Sequence, residues 1–220
     1  MKRPSDLELA ESKAERRCIL PAIPAIANAA RYLDAAVSAH ISGHRKLAEE
    51  LIVQADIPEI RDWAETLWGK ANQFNRPQGT PGLLNKVDPS LRDTLRKPTA
   101  ILERELHRRY SFHCGFCGIP VIRKQVRDRF RKLYPNVIKW GPKYGPGDKH
   151  AAFLAMWAAY DHLKPHSRGG RTELGNLVVA CAPCNFGRGE YTIEQFGLSN
   201  PLAREPISSA WDGLERLLCC

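Results

Sequence analysis

Apolar residues recur at spacings of three and four through the first part of the chain. Ile26, Ala29, Ala30, Leu33, Val37 and Ile41 repeat in this way, and beyond Gly43 the stripe continues through Leu47, Leu51 and Ile52. That period turns one face of an α-helix toward a core, so it predicts helix from Ala22 to about Gln54 with an interruption at Gly43. Pro58 suits the first turn of a further helix, with Ile60, Trp63, Ala64 and Leu67 inward and Gly69 near its end. Residues 72–86 are crowded with Asn, Pro and Gly and read as a linker or surface loop. Asp88-Pro89 reads as an N-cap with proline behind it, starting a short helix through about Leu95. Pro98-Thr99 starts another, carrying Ile101, Leu102, Leu106 and Tyr110. Residues 1–20 are charged and lack an apolar period, as a frayed terminus or a loosely docked helix does.

Beyond Thr99 the pattern shortens. Ser111 to Val121 is expected to form a tight hairpin, because Gly115 and Gly118 let the chain turn between Cys114 and Cys117. Arg123 to Tyr134 predicts a basic helix with Val126, Phe130 and Leu133 inward. Pro135 to Gly147 is a loop. A short helix capped by Asp148 over Ala151–Leu154 then leads into a strand near Trp157–Leu163. Asn176–Ala180 is a second short strand, and a helix follows from Ala182 to about Glu190. The expected organisation is a helical region over residues 1–97 and a second domain over 98–220, with a basic insertion at 121–150.

Charge sharpens this division. The chain of 220 residues carries a formal net charge of +9. Residues 1–100 contribute +2, residues 101–120 +1, residues 121–150 +7 and residues 151–220 −1. A block that basic suits a polyphosphate backbone, whose counterions each contact releases; a solvated charged helix is the plainer reading. No run of eighteen apolar residues exists to span a bilayer, and the first residues lead into acidic side chains rather than an apolar export segment. The expected location is the cytoplasm, with no membrane partner.

Four of the seven cysteines form two Cys-x-x-Cys pairs, Cys114/Cys117 and Cys181/Cys184, with 63 residues between Cys117 and Cys181. Without an export segment such pairs favour a metal over disulfides, and four thiolates make a closed tetrahedral zinc site with no position left for water. That zinc is structural, and Cys18, Cys219 and Cys220 receive no role. Chemistry must then come from the Asp161-His162 pair. Phosphodiester hydrolysis needs an activated water, a Lewis acid at the phosphate and a cation for developing charge. His162 titrates near neutrality and suits the first task. Asp161 and Asn185 offer hard oxygens for Mg²⁺ or Mn²⁺. Neighbouring side chains on a regular strand point to opposite faces, so Asp161 and His162 diverge unless the strand is twisted or bulged.

The run Asp161-His162-x-x-Pro165-x-Ser167-Arg168-Gly169-Gly170, followed by Asn176-Leu177-Val178-Val179-Ala180-Cys181-x-x-Cys184-Asn185, resembles the HNH endonuclease motif in its zinc-bound, four-cysteine form. The resemblance spans Cys114 to about Gly189. It implies an α+β chain in which a mainly helical N-terminal region precedes a ββα-metal core braced by the zinc site. By position, Asp161 resembles the first metal ligand, His162 the general base, Asn176 the loop asparagine that holds the ribbon and orients the base, and Asn185 the helix metal ligand. In this family the Asp-His strand is distorted, which answers the divergence. Two departures stand out: Asn185 replaces the histidine that names the family, and the segment between Cys117 and Asp161 is long and basic.

The resulting expectation is a metal-dependent endonuclease acting on DNA, expected to be double-stranded, with structural Zn²⁺ and catalytic Mg²⁺ or Mn²⁺. Arg123, Lys124, Arg127, Arg131, Arg168 and Arg188 are the candidate DNA contacts, and His166 is read as a packed or surface histidine. Restriction, phage defence and a mobile element are all compatible settings. A homodimer or a co-encoded protein partner is open, as is a role for residues 1–97 in target recognition, dimerisation or capping of the small core. The rival readings are a zinc-dependent nucleic-acid-binding protein without cleavage and a nuclease subunit switched on by a partner.

Overall fold

The computed structural model describes residues 16–68, 86–141 and 148–219. The stretches 1–15 and 69–85, which hold most of the expected frayed terminus and linker, and 142–147 within the basic block, lie outside the described residues. Helix α1 spans Pro24–Ile41 and α2 Arg45–Gln54, and they pack on one another. Between them Gly43 takes φ +82°, a left-handed conformation that glycine adopts without a Cβ clash. Helix α3, Pro58–Trp68, buries Ile60, Trp63, Ala64 and Leu67. One buried cluster runs from Ile19 on the N-terminal side through to Leu217, so the helices and the second half share a core.

The expected helix at Asp88 is shorter than its signal. Asp88 does cap, accepting from the Ser90 amide at 2.8 Å. Only a 3₁₀ turn over Pro89–Leu91 follows, and Arg92 returns to extended backbone. The reason lies in Asp93, whose side chain accepts from the amides of Leu95 (3.0 Å) and Thr172 (2.9 Å) and so draws the chain onto another part of the molecule. Helix α4, Ala100–Tyr110, starts from Thr99, which caps the Leu102 amide at 3.3 Å.

Helix α5, Lys124–Leu133, and the short α6, Ala151–Ala155, lead to β1, Ala158–His162. Strand β1 pairs antiparallel with β2, Leu177–Cys181, and α7, Ala182–Arg188, follows directly. This is an α+β fold with a two-stranded ribbon backed by a helix. The N-terminal helices brace it from outside the motif. Asp56 accepts from the Ala151 amide at 2.7 Å and from Arg61 at 2.9 Å, and His150 Nε2 bonds the Ile52 carbonyl at 2.9 Å. Trp68 at the end of α3 stacks on Phe186 of α7, with ring centroids 4.4 Å apart.

Candidate active site

The two cysteine pairs converge. The four Sγ atoms of Cys114, Cys117, Cys181 and Cys184 all lie within 4.8 Å of one another. Cys117 and Cys181, from different pairs, are 3.7 Å apart. That is too long for a disulfide and fits one edge of a tetrahedron, since zinc–sulfur bonds of about 2.3 Å set edges of about 3.8 Å. The donors are thus of the right kind, number and spacing to hold a metal such as zinc. Local backbone builds the cluster. The Cys114 amide bonds the Ile119 carbonyl at 2.8 Å and the Gly118 amide bonds the Cys114 carbonyl at 2.9 Å, which closes the knuckle. The Gly115 amide bonds the Val179 carbonyl of β2 at 2.7 Å. A Cβ at Gly115 would sit 2.9 Å from the Tyr110 ring of α4 and 3.3 Å from the Val179 carbonyl oxygen, so glycine eases the close approach of the knuckle to both.

The loop joining the strands is held by Asn176. Its Oδ1 accepts from the Lys164 amide at 2.8 Å, and its Nδ2 donates to the carbonyls of Lys164 (3.1 Å) and Arg171 (2.8 Å). Gly170 threads inside this clasp, where a Cβ would fall 1.8 Å from the Lys164 carbonyl oxygen. The pairing of β1 with β2 runs without a bulge, from Ala158 opposite Cys181 to His162 opposite Leu177. The distortion implied by the family resemblance is therefore absent from the register. Instead β1 ends at His162, and Asp161, His162 and Asn185 all line one cavity of about 540 Å³ around that end.

Asp161 is not open to solvent. It is 5% exposed, and both its oxygens accept from Arg188, which is 1% exposed. Arg188 Nε donates to Oδ2 at 2.9 Å and Nη2 donates to Oδ1 and to the His162 carbonyl (2.6 Å), while Nη1 reaches the Tyr191 carbonyl. Burial, only partly offset by the Arg188 guanidinium, holds the Asp161 carboxyl above its ordinary value. Two guanidinium donors on two oxygens are the partners of an ionised carboxylate. As a donor set, the Asp161 carboxylate and the Asn185 amide oxygen suit a hard divalent cation. Such a cation would share Asp161 with Arg188 or displace it.

His162 is half-buried, and burial first, then His166, Arg188 and Arg96, lowers its pKa to about 4. It is neutral at pH 7. Its Nε2 lies 3.0 Å from Thr172 Oγ1, and the Thr172 hydroxyl donates to the Leu95 carbonyl. A hydroxyl has one proton, so Oγ1 accepts from Nε2–H, and the Nδ1 lone pair of His162 is left available. His166 bonds the Asp93 carbonyl through Nε2 at 2.8 Å and stands edge-on to His162, ring centroids 5.7 Å apart.

The expected DNA contacts fare unevenly. Arg127 is 5% exposed, its guanidinium 4.1 Å from the Trp140 ring centroid and 5.1 Å from that of Trp157, so it sits in the core as a cation–π partner rather than at the surface. Arg188 is committed to Asp161. Arg123 is held by the carboxylate of Glu215, while Lys124 and Arg131 both pair with Asp128. Arg168 is half-buried and donates to Gln195 at 3.1 Å. Arg92, Arg96 and Lys97, outside that set, line the cavity together with Arg188. Their sequence signal, three cations in six residues, is diluted by the near-neutral balance of residues 1–100.

Residues 153–190 match the family model described as HNH endonuclease. Comparison with curated proteins and with solved structures gives no match. Among the described residues no helix is long and apolar enough to cross a membrane. The matched segment takes in β1, the asparagine-clasped loop, β2 and α7, and its likeness is to the HNH endonuclease family, whose members are nucleases.

Proposed function

We propose that the chain is a metal-dependent endonuclease that hydrolyses DNA phosphodiester bonds. The observation that carries this reading is the meeting of Asp161, His162 and Asn185 on one cavity beside the four-cysteine cluster. His162 Nδ1 accepts a proton from water as the water oxygen bonds to phosphorus. The bond from phosphorus to the leaving oxygen then breaks, and that oxygen takes a proton from solvent. Mg²⁺ or Mn²⁺ held by Asp161 and Asn185 would supply Lewis acidity at the phosphate and the leaving oxygen. Asn176 keeps the ribbon loop closed, and Thr172 holds His162 in the tautomer that leaves Nδ1 free. Zinc in the four-cysteine site would join the knuckle to β2 and α7 and take no part in the reaction.

Plasmid nicking with Mg²⁺ or Mn²⁺ tests this reading. His162→Ala is expected to lose at least about 100-fold in rate, the lower range of general-base contributions. Full activity in that variant would overturn the assignment of the base. The Arg188 contact favours a second reading, in which Asp161 is structural and the chain binds nucleic acid without cutting it. Duplex binding with no nicking under either metal would support that alternative.

A further inference from the structure

Residues 86–97 precede the matched family segment, yet they dock against the loop between its strands. The Val87 amide bonds the Ser167 carbonyl at 2.9 Å, and Arg92 Nε returns to the Val87 carbonyl at 2.8 Å. Asp93 is the main post, with its carboxylate on the Thr172 amide and its carbonyl on His166. The amides of Thr172 and Leu95 hold its carboxyl below the ordinary range. The segment is thus fixed at several points to the loop that carries His162's partner Thr172. Beyond that anchor the chain presents Arg96 and Lys97 to solvent, both exposed and both lining the cavity of Asp161 and His162, with Arg92 half-buried beside them. Neither Arg96 nor Lys97 has a hydrogen-bond or ion-pair partner among the described residues. By contrast Lys124 and Arg131 of α5 share Asp128, and Arg127 lies against Trp140.

We propose that residues 88–97 form a clamp for the sugar–phosphate backbone of nucleic acid, with Arg96 and Lys97 contacting phosphates that flank the one cut at His162. This rests on the nuclease reading of the same cavity. Cations on a pinned segment lose less freedom on binding than cations on a loose loop, so the anchoring by Asp93 serves their function. A backbone contact carries no base information, and the clamp is expected to act on any sequence.

The test uses the full chain with a duplex oligonucleotide and a plasmid, following binding against salt and nicking in parallel. Arg96→Ala/Lys97→Ala is expected to weaken duplex binding about 10- to 100-fold near 0.1 M salt and to flatten the salt slope by about 2, two lost phosphate contacts at roughly 0.9 each. Arg31→Ala/Lys46→Ala removes the same charge from α1 and α2 and is expected to bind like the parent. Zinc content and melting temperature check the fold, and Arg96→Gln alone, with a slope change of about 1, serves should the double variant be unstable. Unchanged affinity and slope in the clamp variant, or an equal loss in the control, overturns the clamp even if nicking proceeds. A clamp-dependent slope without nicking under Mg²⁺ or Mn²⁺ keeps the clamp and rejects the nuclease reading. No duplex binding by the parent chain overturns the clamp.

Discussion

Replacing Arg188 by methionine should expose how much the buried pair at the end of β1 contributes. The side chain is 1% exposed and its partner Asp161 is 5% exposed, so the substitution leaves a carboxylate in the core without its counter-charge. Breaking one side of a buried pair costs about 3–5 kcal/mol, far more than a surface pair. For a chain of 220 residues, each kcal/mol moves the melting temperature by about 2–4 °C, so a fall of about 6–20 °C is expected. Arg188 also serves the carbonyls of His162 and Tyr191, so the carboxylate's share must be isolated by a double-mutant cycle with Asp161→Asn. The double variant should lose less than the two single losses added, by at least about 1 kcal/mol. Denaturant melts of the four proteins supply the cycle. If cations do settle on Asp161, Mg²⁺ or Mn²⁺ should stabilise Arg188→Met more than the parent, because the competing guanidinium is gone. A single-variant cost below about 1 kcal/mol, the level of an ordinary surface change, would refute the view that this pair is a buried ionic contact.

Three further outcomes follow from other parts of the molecule. Stripping metal with a chelator, or Cys184→Ser, should lower the melting temperature sharply as the knuckle loses its link to α7, with about one zinc per chain in the parent; an unchanged melt in a metal-free protein would refute a bracing role. Thr172→Val should cut the nicking rate about tenfold or more with little change in KM, while Thr172→Ser restores it; equal rates in all three would show that the hydroxyl does not position His162. His107 is buried against Tyr160 and its pKa is lowered to about 4 from 6.5, so the unfolded chain takes its proton first as pH falls. The stability it contributes is complete above about pH 6.5 and is lost progressively toward pH 4, roughly 3 kcal/mol in all; His107→Gln should lose less of its stability than the parent across that window.

The elements around the site were legible because they are set locally. The cysteine spacing, the glycines of the knuckle and the run from Asp161 to Asn185 each specify their own backbone, and no distant residue has to be known to read them. Helices α1 to α3 were equally legible from their apolar period. The contacts on the site were not. Asp93 interrupts a helix signal because its acceptors serve Thr172, a partner far along the chain that no local pattern announces. Arg127 and Arg188 look like surface cations in sequence, since a buried arginine differs from an exposed one only in the rings or carboxylate that happen to surround it. The charge tally of residues 121–150, which already counts Asp128, likewise could not show that Arg123 is paired with Glu215 from outside the block.

That redistribution changes where an approaching polyanion would be met. On α5 the one acid, Asp128, offsets part of the field of Lys124 and Arg131 within a few ångströms, and Arg127 is buried. A surface cation without a counter-charge keeps its full field in the cleft beside it, and low-dielectric walls concentrate that field. Arg96 and Lys97 stand in this position at the rim of the cavity, whereas Arg131 and Lys124 do not. The most basic stretch of sequence and the cations that line this cavity are therefore different places on the chain, and pairing with Asp128 and Glu215 ties up part of the former.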